Sequence, residues 1–151
     1  MSAPASAWLR PLLVLLGGAV FCGLLMLVGQ EIVALPVALL TLLMVYWTSP
    51  LRRGDHTSLA AARERASAVR SGATPPTVVL WAPGNPASAR LHTAIRGPRE
   101  DVIWVNVYRD RMAMDLLVEQ GGAEALPLAL HGDAVHAAVT PGELLELLAQ
   151  D

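Results

Sequence analysis

The sequence is poor in residue types on which several common functions depend. It has one cysteine, Cys22, and its eleven basic residues are all Arg, so lysine is absent. A single thiol cannot form an intrachain disulfide or a cysteine metal cluster. The formal net charge is −2, which provides no general attraction to nucleic acid. The composition therefore predicts no nucleic-acid partner, no metal and no disulfide framework.

Two long apolar runs lie near the N-terminus, at 12–28 and 32–47. Each is close to the lower limit of about 17 residues for crossing a bilayer, and each lengthens when neutral flanking residues are included. Only three residues separate the runs. The pattern predicts a transmembrane hairpin within residues 1–49, with spans at about 9–28 and 32–48.

Two other interpretations of these runs are less favoured. A cleaved signal peptide usually has a shorter apolar core and a small-x-small cleavage site, and neither feature is present here. A buried pair of soluble helices would show polar faces, which both runs lack. Cys22 lies within the first run, where a small residue packs between helices or faces lipid.

The placement of arginine predicts the orientation of the hairpin. Arg10 precedes it, Arg52 and Arg53 follow it, and the loop between the runs has no basic residue. By the positive-inside rule, both ends of the hairpin face the cytoplasm, in a protein that crosses the cell membrane twice. Aromatic residues suited to an interface lie at the same ends, namely Trp8, Tyr46 and Trp47.

Residues 50–76 are predicted to form a juxtamembrane helix and a linker. The helix is expected at 58–70, with Thr57 or Ser58 as its N-cap and Gly72 at its end. A flexible Ser-Gly-Ala-Thr-Pro-Pro linker follows. Two interpretations stay open for this helix: an ordinary solvated helix, or contact with anionic lipid through Arg52, Arg53, Arg63, Arg65 and Arg70.

Residues 77–151 have the pattern of one small α/β domain. Apolar strands are expected at 77–82 and 101–108, and two short strands around a Gly132-Asp133 turn are expected to form a hairpin. Helices follow Asn85 and Thr140, which are expected as N-caps. The order is β-α-β-α-β-β-α, which predicts a four-stranded mixed sheet.

The motifs of this domain resemble the glutaredoxin and thioredoxin-like family. "LWAPGNPAS" resembles the thioredoxin loop "FWAPWCGPC", with Asn85 and Ser88 in place of the two cysteines. "VNVYRDRMAMDLLVEQGG" is similar to a glutaredoxin segment, and the ending "VTPGELLELL" is similar to mycoredoxins. Leu126-Pro127 stands where the family has a cis-proline that faces the active site. The glutathione-binding Gly-Gly-x-Asp of many glutaredoxins is absent.

The resemblance covers residues 77–151 and implies a thioredoxin-like fold with a degenerate redox site. It implies a ligand face made of the following residues: Trp81, Pro83, Asn85, Pro86, Ser88, Leu126 and Pro127. A low-molecular-weight thiol is the ligand that the family suggests, and no bound cofactor is expected.

Thiol-disulfide exchange requires a thiolate, and this domain has none. The expected function is therefore non-redox binding of a thiol, an extended peptide, or a partner in the membrane, either another protein or a second copy. Asn85 and Pro86 are explained by their preference for the first positions of a helix. An anion-binding site formed with the nearby Arg90 is the other interpretation that stays open. The alternative is a cysteine-independent, thiol-handling enzyme that uses Ser88.

The sequence contains three weaker signals. Ser88 and His92 lie one helical turn apart, but no carboxylate is evidently placed to orient His92. His131, Asp133 and His136 lie on the predicted hairpin, where alternation is expected to send the two His to opposite faces. His56 is expected to be isolated in the linker. A further hypothesis places the function in helix pairing at Gly18, Ala19, Cys22 and Gly23.

Overall fold

The structure is a computed structural model that describes residues 5–50, 54–68, 75–95 and 99–149. The chain divides into two compact units, one within residues 2–52 and the other spanning 53–151. The predictions that concern Arg52, Arg53, Arg70, Gly72 and most of the Ser-Gly-Ala-Thr-Pro-Pro linker lie outside the described residues.

The first unit contains two helices, α1 (Ala5–Leu27) and α2 (Glu31–Thr48). Both are long and apolar enough to cross a membrane, and only 6% of the residues in each apolar window are buried. The predicted pair of apolar helices is confirmed. A core helix of a soluble protein is mostly buried, whereas these two helices have most of their long side chains pointing outward. The helix bounds differ from the predicted spans by a few residues.

Small residues bring α1 and α2 together. A Cβ on Gly18 would overlap the side chain of Thr41, including the Thr41 Cβ at 2.8 Å. The thiol of Cys22 lies 3.7 Å from the carbonyl oxygen of Ala34. A Cβ on Gly23, in contrast, would meet nothing within 4 Å. Gly18 and Cys22 therefore serve the contact within the hairpin, and the exposed Ala19 and Gly23 are the open positions of the proposed pairing stripe.

The second unit is an α/β unit that begins with α3 (Leu59–Ala68). It continues as β1 (Thr77–Trp81), α4 (Pro86–Ala94), β2 (Val102–Asn106), α5 (Arg111–Glu119), a 3-10 turn (Gly122–Ala125), β3 (Leu128–His131), β4 (Ala134–His136) and α6 (Pro141–Ala149). From β1 onward this is the predicted order of strands and helices, with the 3-10 turn as an addition.

The four strands form one mixed sheet in the order β2-β1-β3-β4. β1 and β2 are parallel, with Trp81 opposite Asn106. β3 is antiparallel to β1, with Leu80 opposite Leu128, and β4 is antiparallel to β3. The predicted four-stranded mixed sheet and its terminal hairpin are confirmed.

Helices cover both faces of the sheet. One layer packs α3 and α5 on Val78, Leu80 and Val105, and the other packs α4 and α6 on Val79 and Ala129. Because successive side chains of a strand point to opposite faces, β1 contributes to both layers. Both of its faces are buried, so its sequence is a continuous apolar run.

α3 is an integral part of the α/β unit. Leu59 and Ala62 are 1% and 0% exposed and lie in the same core cluster as Leu80 and Val105. Ser58 begins the helix, since its hydroxyl accepts a hydrogen bond from the Ala61 N–H at 3.3 Å. The compact unit is thus larger than the segment 77–151 that carries the family resemblance.

The last two predicted strands are shorter than expected. The chain leaves β4 after His136, and Ala138 takes a positive φ of 52°. The N–H groups of Ala138 and Val139 then donate to the carbonyls of Ala125 and Pro127, at 2.8 and 3.0 Å. These hydrogen bonds direct the chain away from the β3–β4 ladder and satisfy two carbonyl groups that precede β3.

Candidate functional site

The predicted site residues come together at one edge of the sheet. The carboxyl ends of β1 and β2 lie there because the two strands are parallel, and the start of β3 lies there because it runs antiparallel to β1. The pairing of Leu80 with Leu128 sets Trp81 beside Pro127 at this edge. The two strand registers thus bring the ends of β1 and β2 and the start of β3 to the same edge.

Asn85 starts α4 as predicted. Its side-chain oxygen accepts a hydrogen bond from the Ser88 N–H at 2.9 Å, and Pro86 occupies the first turn. Gly84, with φ of 80°, and a bond from the Asn85 N–H to the Ala82 carbonyl form the tight turn that precedes the helix. The amide of Asn85 thus satisfies one helix N–H where the family would place a nucleophilic sulfur.

Ser88 is 0% exposed. Its hydroxyl oxygen accepts a hydrogen bond from the Ala82 N–H at 3.4 Å. A nucleophile or a thiol activator must reach its substrate, and this hydroxyl has no contact with solvent. The structure gives no support to the alternative in which Ser88 handles a thiol, because the start of α4 would first have to open.

The peptide bond between Leu126 and Pro127 is cis, which is the conformation implied by the family resemblance. Both residues are buried. The N–H of Leu126 donates to the Ala123 carbonyl at 3.4 Å within the 3-10 turn. This donor already has an internal partner, so a bound peptide would have to replace it.

The predicted ligand face is mostly closed. Asn85 is half-buried and Pro86 is exposed, whereas the other five residues are buried, namely Trp81, Pro83, Ser88, Leu126 and Pro127. The accessible part of the face is the start of α4, where Pro86 and Ala87 are exposed. A ligand at this site would contact that short surface.

A segment ahead of α3 contacts the site from outside the predicted face. We name residues 54–57, Gly-Asp-His-Thr, the strap. The Trp81 indole N–H donates to the Asp55 carbonyl at 3.0 Å, and the Thr57 N–H donates to the Trp104 carbonyl at 2.9 Å. The strap thereby covers part of β2, which is an edge strand of the sheet.

Gly54 allows the strap to approach Trp81 closely. A Cβ at this position would overlap Cη2 and Cζ2 of the indole. The ring is nearly closed off from solvent, with Trp81 6% exposed. A residue with a side chain would therefore displace either the strap or the indole.

An aromatic cluster lies beneath the strap. The ring centroid of His92 is 5.6 Å from that of Trp81 and 4.8 Å from that of Trp104. The His92 Nε2 is 3.3 Å from a carboxylate oxygen of Asp55. This carboxylate was not expected near His92, because 37 residues separate the two in the sequence. The hydrogen bonds of Ser88 go to Asn85 and Ala82, so these residues do not form a Ser-His-Asp triad.

His56 also differs from its expected place as an isolated linker residue. It is not isolated: its Nδ1 accepts a hydrogen bond from the Asn106 N–H at 3.4 Å. Burial lowers the pKa of His56, the nearby Arg109 lowers it further, and Asp110 acts in the opposite direction. An accepting Nδ1 carries no proton, so the neutral imidazole fits this contact.

Asp110 connects the strap side of the unit to α5. One carboxylate oxygen accepts from the Ala113 N–H at 3.0 Å and caps α5. The other accepts from the Leu59 N–H at 2.7 Å, at the start of α3. A single side chain thus satisfies N–H groups at the beginnings of two helices.

The expected separation of the hairpin His residues is wrong. His136 pairs with Ala129, which lies two positions before His131, so both His point to the same face of the sheet. His131 Nδ1 is 2.8 Å from the Thr77 hydroxyl. Within the described parts of the chain, no group of three or more His, Cys, Asp or Glu side chains is arranged to hold a metal ion.

The protein has a cavity of about 530 Å³ beside the strap, lined by Asp55, His56, Thr57, Arg65, Val102 and Trp104 among others. This volume is within the range of small-molecule sites, about 300 to 1,000 Å³. It lies along β2 and does not include the loop at 82–88. The cavity gives the edge of His56 access to solvent.

No protein-family profile, curated protein or solved structure matches this chain.

Proposed function

We propose that this chain is a membrane-anchored protein whose α/β unit has a thioredoxin-like fold and a degenerate redox site that binds an extended segment of another protein. The observation that carries the proposal is the structure of the loop at 82–88. Its turn and helix start are fully formed, while the two sulfur positions hold a capping Asn85 and a buried Ser88.

Several features support the thioredoxin-like assignment. The strand order β2-β1-β3-β4, the loop after β1 and the cis-proline before β3 occur together at one edge of the sheet. The α/β unit contains no cysteine, since Cys22 is the only one in the chain. Binding is therefore favoured over thiol-disulfide exchange, which needs a thiolate.

An extended peptide fits the exposed surface better than a small thiol. Asn85, Pro86 and Ala87 provide a shallow, mainly apolar surface at the start of α4. A small thiol needs an enclosing pocket to bury most of its surface, whereas a peptide gains affinity from several shallow contacts.

The binding test uses the full-length chain in lipid nanodiscs with methyl-labelled Ala and Leu. Short extended peptides, glutathione and glutathione disulfide are titrated separately. We expect saturable shifts at Ala87 with peptides. Ala87→Gln should weaken this binding, while Ala94→Gln, at the far end of α4, should leave it unchanged. Saturation with glutathione alone would assign the site to thiols, and no shift with any ligand would refute the proposed binding site.

The hairpin is proposed to cross the cell membrane twice, with the α/β unit in the cytoplasm. The support is the length and apolar surface of α1 and α2 together with the arginines on both sides of the pair. In a Cys22→Ser background, Gln30→Cys should react with an impermeant maleimide in intact cells. Ala94→Cys should react only after lysis, and the reverse pattern would contradict the proposed orientation.

A further inference from the structure

The strap contacts the α/β unit at every one of its four residues. Gly54 lies against the Trp81 indole, the Asp55 carboxylate contacts His92, His56 accepts from Asn106, and Thr57 donates to β2. These contacts join residues 26 to 50 positions apart. The strap is therefore held by tertiary contacts, whereas α3 beyond it is held by its own core packing.

One of these contacts depends on a titratable side chain acting as an acceptor. The Asn106 N–H points outward from the edge strand β2, and His56 Nδ1 accepts its hydrogen bond. Protonation of His56 converts Nδ1 into a donor, which then faces another donor. The buried N–H of Asn106 would lose its partner, and the contact would become repulsive.

We propose that the strap is a latch that opens when His56 is protonated and uncovers the outer edge of β2 together with the Trp81 indole. The inference goes beyond the proposed function and does not depend on it, since it concerns residues 54–57 and not the loop at 82–88. The uncovered edge has a free carbonyl at Trp104 and a free N–H at Asn106. An extended segment of another protein pairs with such groups.

The direction of the pH effect follows from the environment of His56. Burial lowers its pKa in the closed state, so the closed strap binds fewer protons than the open one. The closed state is then favoured above the ordinary His pKa of about 6.5 and loses this advantage as the pH falls below it. The cavity beside the strap allows protons to reach the ring.

Other charged groups surround His56 and act on the equilibrium. Arg109 opposes its protonation and Asp110 favours it, both from the turn after β2. The His92 Nε2, 3.3 Å from the Asp55 carboxylate, also contacts the strap, and this contact works against opening. The remaining charged groups line the shared cavity from α3 and from the residues before β2, namely Arg65, Arg99 and Glu100.

The test uses the full-length chain in lipid nanodiscs with 15N-labelled tryptophan. The chain has four tryptophans, so Trp8 and Trp47 of the hairpin unit are internal references. We expect the Trp81 indole resonance to shift between pH 8 and pH 5, with a midpoint below about 6.5. Hydrogen exchange of residues 102–106, corrected for intrinsic rates, should increase over the same range.

Two variants assign the response to the strap. His56→Asn retains an acceptor near the position of Nδ1 without titrating, so its Trp81 resonance should stay at the closed position at pH 5. Gly54→Ala should show the open resonance already at pH 8, whereas Gly142→Ala, with open space around its Cβ, should behave as the unmodified chain.

Three results would overturn the inference. The first is a Trp81 resonance and an exchange rate that do not change with pH. The second is an unchanged response in His56→Asn, which would assign the titration to His92 and Asp55. The third is protection of residues 102–106 that increases as the pH falls. His92→Gln, which retains a donor for Asp55, should still show opening at low pH.

Discussion

The hairpin and the α/β unit use similar apolar residues in opposite ways. Most long side chains of the hairpin are exposed, and Leu39 in α2 is an example at 61%. Leu80 in β1, in contrast, is 0% exposed. In the hairpin, small residues make the contact between helices and long ones point outward; in the α/β unit, long residues fill the core. The difference indicates two solvents, since outward leucines are stable in lipid and costly in water.

The same substitution in the two units provides the largest test of this difference. Leu80→Ala should lower the free energy of unfolding of the α/β unit by about 2 to 5 kcal/mol, because it removes buried methyl groups and leaves a cavity. Leu39→Ala should change the stability of the hairpin by less than about 1 kcal/mol, because its side chain is not packed. Denaturant unfolding in micelles measures both, and similar losses would contradict the comparison.

The α/β unit also depends on a polar contact, the Asp110 carboxylate at the starts of α3 and α5. Asp110→Ala removes a hydrogen-bond acceptor from the starts of both α3 and α5, and each cap contributes about 1 kcal/mol, so we expect a loss of about 2 kcal/mol. Asp115→Ala is the matched control, since its exposed ion pair with Arg111 at 3.9 Å contributes at most about 0.5 kcal/mol. Equal losses in the two variants would show that neither α3 nor α5 depends on Asp110.

The smallest expected effect concerns the packing of the hairpin. Gly18→Ala places a methyl group against Thr41, so the two helices must separate or Thr41 must rotate, at a cost of about 1 kcal/mol. Gly23→Ala has open space and should be neutral or slightly stabilising, since Ala favours a helix over Gly. Unfolding of the hairpin in detergent compares the two, and a larger loss for Gly23→Ala would place the helix contact on the other face of α1.

Much of the local structure was predictable because it depends on neighbouring residues. The apolar runs, the caps at Asn85 and Thr140, the Gly132-Asp133 hairpin and the order of elements from β1 onward were all anticipated. Each follows from the periodicity of apolar side chains, from residues that favour turns and helix ends, or from a hydrogen bond within three residues. The loop at 82–88 was placed correctly because it lies between a strand and a helix that are both locally encoded.

The contacts of the strap were not predictable in this way. Asp55 meets His92, His56 meets Asn106, and Leu59 meets Asp110 across 37, 50 and 51 residues. No periodicity in a single sequence specifies such pairs, because they arise from the order in which strands enter the sheet. The composition of 50–76 predicted a juxtamembrane helix and a linker, but the buried Leu59 and Ala62 place that helix, α3, in the core of the α/β unit.

The sequence by itself determined the two apolar helices, the mixed α/β pattern and the absence of cysteine from the α/β unit. These depend on residue type and on short-range spacing, which the chain carries in any conformation. Only the tertiary structure decided that Ser88 is buried, that His131 and His136 share a face, and that the strap covers Trp81. Burial, register and partners are properties of packed surfaces, and these surfaces exist only after distant segments have come together.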